Sequence, residues 1–304
     1  MYGRAVNDSA LVRLATFNVL HGRPLHSDGR PVSAGSEPFG MRPLLDAVTA
    51  LDADVLALQE LDRFQDRTGR VDQARAVAEA AGATDWRYTS ALHALAAPGR
   101  TWVPDPSEPG MRVYGPPGTG HDGESPSHGV ALMTRLPVLA WHARRFTAPP
   151  LAVPLRLRGR PGLTVIRDRP RSALAAVLQG RRGPFTAVAL HLSFFPGPNI
   201  RQLLAIHRWI SDLPRPHLLL GDFNLGGAIP ATVLRAADLL TPNSPTSPAR
   251  WRDLARARTF PAHRPRLQLD HILASGIPHS DPHTPHYLRL PLSDHRPLAV
   301  DLPL

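Results

Sequence analysis

The sequence predicts an α/β protein in which two mostly antiparallel sheets pack face to face, with helices outside. Three observations carry this. The apolar runs are short, of strand length, and bounded by turn residues. Strand-like runs outnumber strong helical periodicities. Several strand-like runs follow one another through short turns, which departs from a strictly alternating βαβ chain. No internal repeat is visible.

Taken in order, residues 13–19 (RLATFNV) read as a buried strand. Residues 41–51 carry apolar side chains at helical spacing, and 55–59 (VLALQ) form the next strand. Residues 73–81 are Ala-rich and helical, with Gly82 as the stop. Residues 86–89 read as a strand. Residues 129–134 and 138–144 read as a strand pair joined by a turn at 135–137, and 173–179 and 185–191 as another pair joined at 180–184 (GRRGP). Residues 200–212 are an amphipathic helix, 217–221 an apolar strand and 232–237 a short helix. Strands at 268–274 and 298–302 close the series. Two stretches lack periodicity. Residues 97–127, rich in Pro and Gly, read as a long loop of the kind that is functional or disordered. Residues 242–265 are similar, apart from one or two helical turns at 251–257. The expectation is one domain over residues 1–304 with a long loop insertion near 97–127.

Composition narrows the function. The 304 residues are 42% hydrophobic, enough for a substantial core. No run of eighteen apolar residues predicts a transmembrane helix, and the start has no secretory pattern, so a cytoplasmic location is the default. The absence of cysteine excludes disulfides and thiolate metal sites. A net charge of +10 favours polyanionic partners, nucleic acid among them. All 35 basic residues are Arg, however, and Pro reaches 34, a bias that a GC-rich genome produces without any such partner. No partner protein is implied.

Chemistry-bearing residues fall at strand ends. Hard cations such as Mg²⁺ take oxygen ligands, and a hydrolase using one needs a fixed carboxylate. Glu60 ends VLALQE, Asp222 and Asn224 follow HLLLG, and Asp270 sits in LQLDHIL. Asp294 and His295 precede the last strand, Asn18 lies in ATFNVLHG, and His191 ends TAVALH. Taken singly, each is as readily a turn former, a cap or a hydrogen-bonded core residue. Their number and order carry the argument. HExxH, GxSxG and GxxxxGK[ST] are absent, which argues against zincin, α/β-hydrolase and P-loop chemistry.

TFNVLHG (16–22), ALQELD (57–62), HGVALMTRLPV (128–138), ALHLS (189–193), LLLGDFN (218–224), TFP (259–261), LDHIL (269–273) and SDHRPL (293–298) together resemble the endonuclease/exonuclease/phosphatase superfamily, the deoxyribonuclease-I-like metal-dependent phosphoesterases. The resemblance spans residues 14–302. It implies a four-layer α/β/β/α sandwich and a Mg²⁺-dependent, or Mn²⁺-dependent, phosphoric ester hydrolase. It also implies roles: Glu60 as the main metal ligand, Asn18 and Asp294 supporting the metal shell, and Asp222 activating water. Asn224 and His295 would hold the phosphate, Asp270 would pair with His295, and His191 would contact the phosphate or assist the leaving group. One departure is notable. Apurinic-site endonucleases carry an acidic residue two places after the matching Asn, where this chain has Leu20 followed by His21. His21 either faces the metal site or caps the strand.

Arginines cluster twice. Arg156, Arg158, Arg160, Arg167, Arg169, Arg171, Arg181 and Arg182 fall within 27 residues, offset only by Asp168. Arg250, Arg252, Arg256, Arg258, Arg264 and Arg266 are offset only by Asp253. Such clusters either grip phosphates or are solvated surface. Arg171, in RSALAAV, resembles a family arginine that approaches the site. The leading function is a phosphodiesterase or nuclease acting on a phosphate ester, nucleic acid included. The alternative is a phosphatase or sphingomyelinase-like phospholipase C on a small or lipid phosphate. A binding protein that has lost catalysis is weakest, because every matched catalytic position is filled.

Overall fold

A computed structural model describes residues 11–32, 38–96, 102–107, 110–148, 152–155, 162–240 and 250–304. In chain order the elements begin β1 (Val12–Asn18), α1 (Arg42–Leu51), β2 (Val55–Arg63), α2 (Gln73–Ala80), β3 (Asp85–Ser90), β4 (Ala94–Leu95), β5 (Val103–Pro104), β6 (Arg112–Tyr114), β7 (Ser127–Thr134) and β8 (Val138–Phe146). They continue with β9 (Ala152–Leu155), β10 (Thr164–Arg167), β11 (Arg171–Gly180), β12 (Gly183–His191), α3 (Pro198–Trp209), β13 (His217–Asp222) and α4 (Ile229–Leu239). The last are β14 (Arg252–Asp253), β15 (Asp270–Ser275), β16 (Thr284–Tyr287) and β17 (Leu298–Leu302).

One sheet has the order β16-β17-β1-β2-β7-β3-β6 and the other β14-β15-β13-β12-β11-β8. Pairing is antiparallel except for β1 with β2 and β12 with β13. Strand periodicity of two explains the layering. In β2, Val55 and Ala57 face the second sheet, whereas Leu56 and Leu58 face α1 and α2. In β13, Leu218 and Leu220 face the first sheet, and Leu219 faces α3 and α4. The same alternation runs through β11 and β12, giving three buried apolar layers between four layers of structure: helices, sheet, sheet, helices. The expected sandwich is therefore present.

Several elements depart from expectation. The runs at 129–134 and 138–144 are strands, but they are not partners. β7 already has β2 and β3 on its two edges, so the turn at 135–137 carries the chain to the other sheet, where β8 pairs with β11. Residues 251–257 are not helical. Trp251, Leu254 and Ala255 have helical spacing, but Trp251 packs with α3 and α4 while Leu254 and Ala255 pack between the sheets. Side chains sent to opposite faces belong to an edge strand, and Arg252 pairs with Ala274 of β15. The stretch 97–127 is not a simple loop either. Its described part includes β5 and β6, and Tyr114 pairs with Tyr88 of β3. The 232–237 helix is longer, spanning Ile229–Leu239.

Candidate active site

Strand register brings the site residues to one end of the sandwich. His191 is opposite Asp222 across parallel β12 and β13, and Asp222 is opposite Asp270 across antiparallel β13 and β15. Asn18 ends β1 beside the end of β2. Three local features aim the side chains. A register shift between Gln59 and Leu61 leaves Glu60 as an extra residue against β7, with φ of 62°; a bulge of this kind re-aims a side chain next to a site. Gly221 lies so close to β12 that a Cβ would sit 2.0 Å from the Leu190 carbonyl oxygen. Asn224 holds φ of 50°, its N–H donating to Asp222 Oδ1 at 2.9 Å and its Nδ2 to the Leu192 carbonyl at 3.0 Å. The loop after Asn224 is pinned from both sides. Asn199 Nδ2 donates to the Asn224 carbonyl at 3.0 Å, and His271 Nε2 donates to the Leu225 carbonyl at 2.9 Å.

Asp222 is the hub. Its Oδ2 accepts from Asn18 Nδ2 at 3.1 Å and lies 3.6 Å from His191 Nε2 and 3.8 Å from His295 Nε2. Behind His295, Nδ1 is 2.8 Å from Asp270 Oδ2, while Asp270 Oδ1 is buried without a hydrogen bond. Burial opposes a charge on His295, but Asp270 and Asp222 outweigh it and push its pKa up to about 10. His295 is thus an imidazolium at neutral pH. Burial also pushes Asp222 up, to about 6, against the pull of His295. His191 goes the other way, well below its ordinary value, because it is buried and faces Arg171. At neutral pH one ring in the site is charged and its neighbour is not.

Glu60 and Asn18 supply the candidate metal centre, with Asp294 beside them. Burial alone would raise the pKa of Glu60, but His128, His191, His21 and His295 bring it down to about 2. It is therefore an anion. Its contacts are Asn18 Nδ2 at 3.2 Å and His128 Nε2 at 3.9 Å; among the described residues no guanidinium pairs with it. Burial raises the pKa of Asp294, the His295 imidazolium opposes that rise, and Glu60 adds to it, so Asp294 lies within electrostatic reach of Glu60. The carboxylate oxygens of Glu60 and Asp294 suit Mg²⁺ or Mn²⁺, and Asn18 would present an oxygen to the ion only with its amide turned over. Asn18 turns its amide nitrogen to both carboxylates, while its Oδ1 accepts from Leu20 N at 3.2 Å. Asp222, Asp270 and His295 also bring ligand atoms within 4.8 Å of one another. With His295 protonated that trio is an ion-pair network, and a cation there would have to displace the proton.

These groups open into a cleft of about 480 Å³ that also takes in His21, Arg67, Trp102, His128, Arg169 and Arg171. His21 faces the cleft rather than capping the strand. It is buried, its Nδ1 has no partner, and burial with Arg67 nearby lowers its pKa to about 3. Arg171 Nη2 reaches Asp168 Oδ1 at 3.3 Å, and its Nε is buried without a partner. The remaining arginines divide. Arg167 lines the cleft and Arg169 is half-buried there, whereas Arg181 and Arg182 are exposed elsewhere. In the second group Arg250, Arg256, Arg258, Arg264 and Arg266 are exposed and Arg252 is half-buried. Arg156, Arg158 and Arg160 lie outside the described residues.

One constellation escaped sequence reasoning. His128 Nδ1 is 2.8 Å from Asp62 Oδ1, and Arg67 grips the same buried carboxylate through Nε at 2.8 Å and Nη2 at 2.9 Å. Both Asp62 and His128 stand inside quoted motifs, QELD and HGVALMT. The signal was present, but nothing in one dimension shows that the second residue of β7 lies beside the bulge of β2.

The family model described as "Endonuclease/Exonuclease/phosphatase family" matches residues 15–295. Similar solved structures include an endonuclease/exonuclease/phosphatase from Beutenbergia cavernae DSM 12333, with 20% identity, TM-score 0.54, and 96% of this chain and 71% of that one covered. Another, from Bacteroides vulgatus, has 17% identity and TM-score 0.56, covering 96% and 98%. A mannosyl-6-phosphatase from Bacteroides thetaiotaomicron has 16% identity and TM-score 0.54, covering 96% and 99%. At these identities the likeness is one of fold. No curated protein matches the chain. Among the described residues no helix is long and apolar enough to cross a membrane. With a family match running from β1 to His295, the chain belongs to the endonuclease/exonuclease/phosphatase family, whose members are hydrolases acting on phosphate esters.

Proposed function

We propose that this protein is a metal-dependent phosphodiesterase, with nucleic acid among its candidate substrates, that cleaves a phosphate ester by direct attack of water. The observation that carries this reading is Asp222. Its carboxylate is buried, raised toward neutrality, and held between an amide, a neutral imidazole and an imidazolium at the head of an arginine-lined cleft. A carboxylate placed where an anionic phosphate must bind repels it, so its presence there calls for a role in the chemical step. Glu60, with Asn18 and Asp294 in support, would hold Mg²⁺ or Mn²⁺, which draws charge from the phosphate when bound.

Asp222 orients water and accepts its proton as the water oxygen bonds to phosphorus. His295 Nε2 donates toward a phosphate oxygen and offsets the charge that builds as the ester bond breaks. Asp270 keeps that imidazole protonated and fixed in orientation. The second amide hydrogen of Asn224 and the guanidinium of Arg171 hold the phosphate, and the neutral His191 ring contacts it. A hydrolysis screen with Mg²⁺ across DNA, RNA, sphingomyelin, inositol phosphates and bis(4-nitrophenyl) phosphate tests the reading. Turnover of a diester that is lost in EDTA supports it. Cleavage of monoesters or sphingomyelin alone would move the assignment to a phosphatase or a phospholipase, and inactivity on the whole panel would overturn it.

A further inference from the structure

The cleft holds more positive charge than the reaction above uses. Five arginines line it against three carboxylates, Glu60, Asp168 and Asp222. The guanidinium of Arg169 sits 4.4 Å from the centre of the Trp102 ring, and among the described residues it has no carboxylate partner. Arg67 lies 5.1 Å from the same ring, its Nε and Nη2 committed to Asp62 and its Nη1 outside that pair. Burial and the neighbouring Arg171 lower the pKa of Arg169 to about 10. Asp62 offsets Arg67 and Asp168 offsets Arg171, which leaves Arg169 as the guanidinium of this wall with no carboxylate of its own among the described residues.

We propose that Arg67, Trp102 and Arg169 form a subsite for a second phosphate group of the substrate, beside the phosphate that is cleaved. The inference rests on the hydrolase reading and adds a substrate class to it. The Arg169 guanidinium and the remaining Nη1 of Arg67, both held beside the Trp102 ring, are preorganised for phosphate oxygens, since little side-chain freedom remains to be lost. The ring is not a free platform for a nucleobase. Besides the two guanidiniums, the His128 ring lies 5.2 Å from it. The anion is a phosphate of a polynucleotide backbone or of a multiply phosphorylated small molecule, two sources with the same chemistry.

Inorganic phosphate in EDTA is the first probe. His295 and Arg171 also attract anions at the catalytic end, so it is the dependence on Arg169 and Trp102 that locates phosphate on the arginine wall. By calorimetry, Arg169→Gln should weaken phosphate at least tenfold. Trp102→Ala, which keeps both charges but removes their support, should weaken it at least threefold. Arg201→Gln, on the exposed face of α3, controls for net charge. Losses in Arg169→Gln no larger than in Arg201→Gln would overturn the subsite, whatever the enzyme hydrolyses. With Mg²⁺, matched pairs identify the source: thymidine 3′-(4-nitrophenyl phosphate) with and without a 5′-phosphate, and inositol 1-phosphate against inositol 1,4-bisphosphate. A preference for the doubly phosphorylated member of either pair that collapses to within twofold in Arg169→Gln supports the assignment. Turnover without preference in both pairs would overturn it while leaving the hydrolase reading intact. Phosphate binding that depends on Arg169, without turnover of any substrate, would count against the hydrolase reading alone.

Discussion

His295 and Asp270 are joined at 2.8 Å in a buried pair whose other carboxylate oxygen has no partner. The positive charge of His295 is stabilised by Asp270, with Asp222 contributing after it. Losing either should remove the imidazolium from the phosphate, at a cost of ~10²–10³ in turnover, the range for one transition-state donor. Because the two act as a unit, the double variant Asp270→Asn/His295→Ala should be no slower than the worse single variant. If the two single losses multiply in steady-state kinetics, the pair is not one device.

Metal dependence should run through Glu60. EDTA should abolish turnover, and Mg²⁺ or Mn²⁺ should restore it. Glu60→Gln should lose at least ~10²-fold at a fixed metal concentration, in line with the several kcal/mol that a Lewis acid supplies to a phosphoryl transition state. Metal titrations followed by activity check this, and Glu60→Gln with an unchanged metal requirement would remove Glu60 from the metal centre.

Asp222→Asn should separate chemistry from binding. It keeps the shape and, through its one remaining oxygen, the turn hydrogen bond from the Asn224 N–H, but loses the charge and the acceptor for Asn18 Nδ2. Single-turnover rate should fall ~10²–10⁴-fold, the usual scale of general-base help. Substrate affinity should hold or improve, since repulsion of the phosphate is relieved. A nearly normal rate would reduce Asp222 to a capping residue.

His217 predicts a stability effect away from the cleft. It is 2% exposed, its Nε2 is 2.9 Å from the Leu213 carbonyl, and burial lowers its pKa from 6.5 to about 4. The folded chain keeps the ring neutral, whereas the unfolded chain takes up a proton below about pH 6.5. Stability is then full above pH 6.5 and declines until about pH 4, by on the order of 3 kcal/mol for a displacement of this size. Urea unfolding of wild type and His217→Gln at steps between pH 7 and 4 should show a steeper decline in wild type, since His21 and His191 contribute to both. Parallel slopes would show that His217 is not its source.

The sandwich was legible because nearly every central strand alternates its apolar residues cleanly, as Val55 to Leu58 do, or is wholly apolar, as at Leu218 to Leu220. The candidate site positions gather at one end of the sandwich because most of them lie at or just past the ends of those strands. Pairing was less so. The turn at 135–137 looks like a hairpin, since sequence does not show that both edges of β7 are taken. Trp251, Leu254 and Ala255 imitate a helix because two faces of an edge strand can reproduce that spacing. Edge elements such as β6 and β16 are short and half-exposed, with little apolar pattern to find. Asp62 and His128 were invisible as a pair because they meet 66 residues apart in the chain.

The pairing of β1 with β17, Val12 opposite Leu302, also governs the order of assembly during synthesis. When a nascent chain has emerged only through β15, Glu60, Asp222 and Asp270 are out, but the segment bearing Asp294 and His295 is still to come. Contacts of such long range form late. On the mechanism proposed above, a chain that has emerged only through β15 would lack the imidazolium opposite Asp270, so hydrolysis would wait for the segment bearing Asp294 and His295.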